Sequence, residues 1–208
     1  MTPLVLAKAP VPGRVKTRLG ADVGADVAAD LAAAALLDTL DLVEDALGRG
    51  VVALDGELAE ASRGEELTVA LAGWRVVPQR GDELGERIAH AHADVDDVVV
   101  QVGMDTPHLS PEQLRETADR LREADAVLGP AEDGGWWVLA LNDPGHAALV
   151  RDVPTSRVDT GRLTLEALSR EIVVALGPHS YDVDTIDDAR RSADDAPHTR
   201  FAHTWRSR

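Results

Sequence analysis

The sequence contains no cysteine, which excludes disulfide bonds and thiolate–metal sites. Aromatic residues make up only 3% of the 208 residues, so the core must be built largely from valine, leucine and alanine. No apolar stretch approaches the length needed to span a bilayer. Acids outnumber bases and give a formal net charge of −16, which disfavours non-specific binding to nucleic acid or to an anionic membrane. A short apolar run precedes the first cation, the reverse of a secretion signal, so we expect a cytoplasmic protein.

Strand-like and helix-like segments alternate along almost the whole chain. Strands are predicted at Pro3–Ala7, Val51–Leu54, Trp74–Pro78, Asp97–Val102, Ala126–Gly129, Trp136–Leu141 and Glu171–Leu176. Helices are predicted at Ala21–Leu47 and Asp82–His92, from the N-cap Ser110 to about Ala124, and after the N-cap Thr185. The alternation predicts an α/β fold with a mainly parallel sheet and helices on both faces. We expect one domain over residues 1–192 and a polar, irregular, loosely docked tail over 193–208.

The first loop after a predicted strand is basic. The first nineteen residues carry Lys8, Arg14, Lys16 and Arg18 and no acid. Gly13 lets the backbone turn sharply, and the cations suit the phosphates of a nucleotide. If the segment is extended, Arg14, Lys16 and Arg18 point to one side. The glycine spacings of a P-loop and of a dinucleotide-binding fingerprint are both absent. A solvated basic turn is the alternative interpretation.

Two further loops carry carboxylates where predicted strands end, which is where ligands bind in such sheets. Asp105 follows the central strand and is placed to hold a hard divalent cation, although it could equally be a turn or cap residue. Asp182 and Asp184 follow the last strand and lie on one face if extended. Together with Asp105 they could complete a Mg²⁺ site.

A fourth loop contains the run Asp133-Gly-Gly-Trp136. An Asp-Gly-Gly sequence is common in hairpin turns, and alternate strand faces could place one tryptophan in the core and one outside. The functional interpretation has Asp133, Gly134 and Gly135 contacting an acceptor, with Trp136 forming a wall. The seven histidines form no metal-ligand pattern, and no Ser-His-Asp arrangement follows from spacing.

Five ordered segments resemble the DUF2064 family of glycosyltransferase-A-like proteins, which are related to 2-phospho-lactate guanylyltransferases. The resemblance covers roughly residues 3 to 190. The segments are Ala7–Leu19, Gln79–Arg87, Gly103–Pro107, Leu128–Trp137 and Asp182–Thr185. The resemblance implies an α/β/α sandwich with the nucleotide-diphospho-sugar-transferase (GT-A, Rossmann-like) fold.

The resemblance also implies roles for individual residues. Those assigned to the nucleotide are Lys8, Gly13, Arg14, Lys16, Arg18, Gln79 and Gly85. Asp105 matches a metal-coordinating aspartate, with Asp184 as its partner for Mg²⁺ or Mn²⁺, and residues 133–136 match the acceptor-side loop. The catalytic candidates are Lys16, Asp105 and Asp133. Many members have serine at the position of Met104 and Trp-Ser-Thr where this chain has Thr155-Ser-Arg157, so acceptor identity is not carried over.

The expected function is a Mg²⁺-dependent transferase that uses a nucleotide. It would transfer either a glycosyl group from a nucleotide sugar or a nucleotidyl group from an NTP to a small acceptor. A nucleotide-binding regulatory module or pseudoenzyme without turnover is the alternative. The sequence leaves the base, the acceptor and the oligomeric state open.

Overall fold

The computed structural model describes all 208 residues and contains one seven-stranded sheet. The strands are β1 (Thr2–Lys8), β2 (Val51–Asp55), β3 (Arg75–Pro78), β4 (Val99–Val102), β5 (Ala126–Pro130), β6 (Trp136–Leu141) and β7 (Val174–Leu176). Their spatial order is β3-β2-β1-β4-β6-β5-β7. Only β6 runs antiparallel to its neighbours, because it is joined to β5 by a hairpin. The other six strands therefore end at one shared edge, which we call the carboxyl edge.

The chain also forms eight α-helices. They are α1 (Thr17–Val23), α2 (Ala25–Leu47), α3 (Gly64–Ala70), α4 (Leu84–Ala93), α5 (Pro111–Asp119), α6 (Thr160–Ser169), α7 (Ile186–Asp195) and α8 (Arg200–Ser207). The Ser110 capping box that starts α5 and the Thr185 capping box that starts α7 are both present. Each box satisfies backbone N–H groups that have no partner inside the helix.

Apolar clusters lie on both faces of the sheet. One cluster of 27 buried residues packs the sheet against α2, α3 and α5. A second cluster of 14 packs the opposite face against α4, α6 and the 3₁₀ helix Pro144–Val150. The central strands are buried on both faces, as their mainly Val/Leu/Ala composition favours, and the one buried amide, Gln101 of β4, hydrogen-bonds with His92. The predicted α/β/α sandwich with a mainly parallel sheet is confirmed.

The long predicted helix Ala21–Leu47 is interrupted at Gly24. Gly24 has φ +89°, a conformation that favours glycine, and it ends α1 and precedes α2. The helical segment also begins earlier than predicted, at Thr17, so Arg18 belongs to α1 and not to the basic loop. The last strand is shorter than predicted, three residues at the sheet edge.

The prediction of an irregular, loosely docked tail over 193–208 is wrong. Residues 200–207 form α8, which packs on α2 and α7 and buries Phe201 and Trp205. The Asp38 carboxylate on α2 accepts hydrogen bonds from the backbone N–H groups of Arg200 and Phe201, at 3.0 and 2.8 Å. The Thr199 hydroxyl caps the same helix start. None of the helices is long and apolar enough to cross a membrane.

Candidate functional site

Four loops converge at the carboxyl edge of the sheet. The loop after β4 joins the loop after β7, because the Val183 N–H donates to the Asp105 carbonyl at 3.0 Å. The hairpin after β5 joins the same segment through a bridge between Ala131 and Ser180. The basic loop after β1 closes on this group through Lys16. The rule that loops at strand ends assemble a site therefore holds for the segments selected from sequence.

The basic loop is a compact turn, so the extended backbone on which Arg14, Lys16 and Arg18 would point to one side does not form. Gly13 has φ +76°, and Lys16 has φ +44° and ψ +46°, in the left-handed region that side chains rarely adopt. Thr17 then starts α1. This backbone directs the cations toward different partners instead of placing them on one side.

Each cation of the basic segment is paired with a carboxylate from elsewhere in the chain. The N···O distances are Lys8–Asp55 4.0 Å, Arg14–Glu60 3.2 Å, Lys16–Asp105 2.7 Å and Arg18–Asp184 2.6 Å. Three of the cationic side chains are at least half exposed, whereas the Lys16 side chain is 13% exposed. Exposed pairs contribute little to stability and exchange readily with other anions. The three exposed cations are therefore available to a phosphate ligand.

Lys16 and Asp105 form the central ion pair of the site. Burial acts to lower the pKa of the Lys16 ammonium, but the charges of Asp105, Asp182 and Asp184 outweigh it and raise the pKa. The ammonium is thus held protonated between carboxylates that follow β4 and β7. Gly103 permits this arrangement, since a Cβ there would lie 2.9 Å from the Asp105 carboxylate.

Asp182 is the carboxylate in this group without a cationic partner. Burial, together with the neighbouring charge of Asp105, raises the pKa of Asp182 to about 6, and Lys16 only partly offsets this. Asp184 is engaged by Arg18 instead. The hydroxyl of Thr106, next to Asp105, is buried and has no hydrogen-bond partner. Mutually repelling carboxylates and an unsatisfied hydroxyl are features that a hard cation would relieve.

No group of three or more His, Cys, Asp or Glu side chains is arranged to hold a metal ion on its own. Mg²⁺ commonly takes only one or two protein carboxylates and completes its shell with waters and substrate phosphates. Asp105 with Asp182 or Asp184 meets that requirement, so the residues fit a cation that binds together with a phosphate ligand.

Asp188 fixes the loop that carries Asp182 and Asp184. Its Oδ2 accepts from the backbone N–H groups of Asp184 and Thr185 and from the Thr185 hydroxyl, at 3.3, 2.8 and 2.7 Å. These contacts start α7 and orient the segment immediately before it.

Replacing Asp188 with alanine should destabilise the protein by about 1–2 kcal/mol, because the carboxylate caps α7 and satisfies three donors. The free energy of unfolding, from urea titration followed by circular dichroism, measures the loss. Asp187→Ala is the matched control, since the Asp187 side chain is 83% exposed and pairs only with Arg190. Equal stability of the two variants would contradict the capping role.

The run Asp133–Trp136 forms the β5–β6 hairpin turn, the structural alternative considered from sequence. The Gly135 N–H donates to the Asp133 carboxylate at 2.8 Å, and Gly134 has φ +90°. A Cβ on Gly134 would lie 2.0 Å from the Val158 carbonyl oxygen. The hairpin therefore lies at the carboxyl edge, tightly packed on the loop that carries Arg157. Trp136 is half-buried, whereas Trp137 is buried and donates to the Pro178 carbonyl at 2.8 Å.

Two predicted nucleotide-facing residues have structural roles. The Gln79 amide donates to the carbonyls of Ala7 and Ala53, at 2.8 and 3.0 Å, and so ties the ends of β1 and β2. Gly85 is buried, and a Cβ there would lie 2.2 Å from the Arg151 carbonyl oxygen. Gly85 is thus explained by close packing on the segment after the Pro144–Val150 helix, and its assignment to the nucleotide stays a prediction.

Met104, one of the two departures from the family pattern noted in the sequence, belongs to the apolar core. Its side chain is buried in the larger apolar cluster, and its Sδ accepts from the Lys8 N–H at 3.1 Å. The departure from serine at this position therefore changes packing between β1 and the loop after β4.

Sequence reasoning missed two groups at the carboxyl edge. Arg87 of α4 donates to the Asp55 carboxylate at 2.8 Å, so Asp55 lies between Arg87 and Lys8. His108 stacks on Tyr181 with ring centroids 3.8 Å apart, and Arg191 covers the ring of Tyr181 at 3.8 Å. The partners of His108 lie more than seventy residues away in sequence, so no local sequence pattern predicts the stacking of the two rings.

The fold and the arrangement of its carboxyl edge define a protein with the nucleotide-diphospho-sugar-transferase fold. The family model described as "Uncharacterized protein conserved in bacteria (DUF2064)" matches residues 37–157, more than half of the chain. The chain belongs to this family. The matched region includes Asp105 and the hairpin, but not the basic loop or Asp182.

Solved structures extend the likeness over the whole chain. A candidate nucleotide-diphospho-sugar transferase from Desulfovibrio desulfuricans G20 is 27% identical with a TM-score of 0.84, covering 100% of this chain and 95% of its own. Rv0371c from Mycobacterium tuberculosis H37Rv, in complex with manganese, is 22% identical with a TM-score of 0.55, covering 93% and 98%. CMP:2-keto-3-deoxy-manno-octonic acid synthetase, complexed with CTP, is 13% identical with a TM-score of 0.58, covering 95% and 99%. The last two show the fold alone. No curated protein matches the sequence.

Proposed function

We propose that this protein is a divalent-cation-dependent transferase that uses a nucleotide as donor. The observation that carries the proposal is the part-buried Lys16–Asp105 pair at the ends of β1 and β4. An ammonium and a carboxylate held side by side at the carboxyl edge offer one group for phosphate oxygens and one for a hard cation. The full-length likeness to a candidate nucleotide-diphospho-sugar transferase supports the same donor class.

The phosphate groups of the donor would be held by the basic segment. Lys16 would contact a phosphate from inside the site, while Arg14 and Arg18 would do so from the exposed rim. Both arginines can form two parallel hydrogen bonds to one phosphate. Binding requires each cation to exchange its carboxylate partner for a phosphate, and the exposed pairs exchange at little cost.

The cation would be held by Asp105, with Asp182 or Asp184 as the second carboxylate. When bound, Mg²⁺ or Mn²⁺ would neutralise charge on the donor phosphates as the leaving group departs. The complex of Rv0371c with manganese supports a divalent cation in this fold. Lys16 would act beside it by stabilising the same negative charge through its ammonium.

Two transfer reactions fit this arrangement. In glycosyl transfer, an acceptor oxygen forms a bond to the anomeric carbon, and the bond to the nucleoside diphosphate breaks. In nucleotidyl transfer, an acceptor oxygen attacks the α-phosphorus of an NTP, and pyrophosphate leaves. The D. desulfuricans neighbour favours the first, and three cations in one short segment, more than a diphosphate needs, favour the second. The hairpin Asp133–Trp136 would contact the small acceptor in either case.

The experiment is a thermal-shift screen of the purified protein. The ligands are the four NTPs and a set of UDP-, GDP- and dTDP-sugars, each with and without Mg²⁺. A ligand that binds only the folded state raises Tm, and one present at a hundred times its Kd adds about 2.7 kcal/mol of stability. We expect one nucleotide class to raise Tm, with a larger shift when Mg²⁺ is present.

The outcomes separate the alternatives. A shift with one NTP and release of pyrophosphate on adding acceptors identifies nucleotidyl transfer. A shift with one nucleotide sugar and release of nucleoside diphosphate identifies glycosyl transfer. Binding without product from any acceptor favours the regulatory module or pseudoenzyme. Absence of a shift with every nucleotide contradicts the proposal.

A further inference from the structure

We infer that Lys16 is an internal competitor of the divalent cation: in the ligand-free protein its ammonium occupies the Asp105 carboxylate that the cation needs. This inference rests on the proposed function and adds to it a control of metal affinity. The Lys16–Asp105 distance is 2.7 Å, and the lysine side chain is 13% exposed against 30% for Asp105, so the ammonium lies on the inner side of this carboxylate and occupies its Oδ2. A cation and an ammonium cannot both contact the same oxygen without strong repulsion.

The backbone holds Lys16 in this position. Lys16 has φ +44°, where a lysine is uncommon, and the Gly20 N–H donates to its carbonyl at 2.8 Å as α1 begins. The side chain therefore leaves the chain at a fixed turn between β1 and α1. Its long aliphatic stem lets the ammonium move while the backbone stays in place.

The charge balance explains how the competition is relieved. Asp105, Asp182 and Asp184 supply three carboxylates around the ammonium, and only Lys16 and Arg18 pair with them. A donor phosphate offers Lys16 a new anionic partner, so moving the ammonium onto phosphate frees Asp105 for the cation. Cation and nucleotide should consequently strengthen each other's binding, as reciprocal coupling between two ligands requires.

The chain offers a matched control, because it contains only two lysines, Lys8 and Lys16. Lys16→Met and Lys8→Met remove the same charge from the same segment. Lys8 lies 4.0 Å from Asp55 and does not pair with Asp105. A general electrostatic effect changes cation affinity equally in both variants, whereas direct competition changes it only in Lys16→Met.

The test measures Mn²⁺ binding to the full-length protein without nucleotide. Electron paramagnetic resonance gives the concentration of the free ion during the titration. We expect Lys16→Met to bind Mn²⁺ at least about tenfold more tightly than the parent, since a unit charge in contact with the ligand is removed. Lys8→Met should stay within about twofold. Equal or weaker binding by Lys16→Met overturns the inference. If Asp105→Asn still loses Mn²⁺ in that case, the cation site of the proposed function stands.

A second measurement uses the parent protein and needs no variant. Limited acetylation by an amine-reactive reagent, read by mass spectrometry, compares Lys16 with Lys8 in the same molecule. Saturating Mn²⁺ should raise the Lys16-to-Lys8 labelling ratio several-fold, because the cation displaces the ammonium from Asp105. An unchanged ratio at saturating Mn²⁺ contradicts the competition. Absence of any Mn²⁺ binding in all variants overturns both this inference and the cation dependence.

Discussion

Replacing Asp105 with asparagine should lower kcat/KM of the transfer reaction by about 10³-fold or more. The substitution keeps the size of the side chain and removes the charge that pairs with Lys16 and would hold the cation. Electrostatic groups that stabilise a departing phosphate typically contribute 10²- to 10⁵-fold, about 3–7 kcal/mol. The measurement is the initial rate of nucleoside diphosphate or pyrophosphate release at varied Mg²⁺, with the donor identified in the thermal-shift screen.

Loss of activity must be separated from loss of fold, since Asp105→Asn leaves the Lys16 ammonium part-buried without its partner. The double variant Lys16→Met/Asp105→Asn removes both charges, and we expect it to recover stability but not activity. Asp187→Asn, at a side chain that is 83% exposed beyond the same site loop, is the control for removing an aspartate charge. Full Mg²⁺-dependent turnover in Asp105→Asn would remove Asp105 from the cation site.

The fold could be predicted from local sequence because residue patterns in the sequence mark where its helices and strands begin and end. Ser110-Pro-Glu-Gln113 contains the N-cap, the N1 proline and the capping-box partner in four residues, and the structure shows all of them in place. The buried parallel strands are short segments that are apolar at nearly every position. Asp105 follows such a strand, so its place at the carboxyl edge followed from topology alone.

The backbone conformation of the basic loop could not be predicted from local sequence. Alternation of Arg14, Lys16 and Arg18 predicts one shared direction only if the backbone is extended. The left-handed turn at Lys16 and the early start of α1 place the three cations against carboxylates that lie 46, 89 and 166 residues away in sequence. No propensity of the segment itself encodes those ion pairs.

The C-terminal segment, which was wrongly predicted to be irregular, does contain a sequence pattern that indicates a helix. Phe201 and Trp205 are four residues apart, the spacing of one helical face, and Thr199 is a suitable N-cap. The high polarity of the surrounding residues concealed a short amphipathic helix. Its packing on α2 adds Phe201 and Trp205 to an aromatic-poor core.

Lowering the pH from 7 to 4 should destabilise the protein, with about 3 kcal/mol of the loss due to His92. His92 lies on α4 with no exposed surface, and one ring nitrogen lies 2.7 Å from the Gln101 amide oxygen on β4. The other ring nitrogen, Nδ1, is buried without a partner. Burial lowers the pKa of His92 to about 4, and the hydrogen bond to Gln101 offsets only part of this.

The sign follows from the proton balance. Below the ordinary histidine pKa of about 6.5, His92 binds a proton in the unfolded chain but stays neutral in the native protein. The unfolded state is therefore stabilised relative to the native state as pH falls. The loss begins near pH 6.5 and levels off near pH 4, where the native imidazole also titrates. His108 contributes in the same direction, because burial also lowers its pKa to about 4.

The free energy of unfolding at several pH values, for the parent and His92→Gln, isolates this contribution from that of the carboxylates. Glutamine keeps an amide that can hydrogen-bond to Gln101 and cannot take up a proton in this range. The variant should therefore lose about 3 kcal/mol less between pH 7 and 4, whatever its stability at neutral pH. His203→Gln, at an exposed position on α8, is the matched control for replacing a histidine by glutamine. Parallel pH profiles for His92→Gln and the parent would show that the buried imidazole is not the acid-sensitive group.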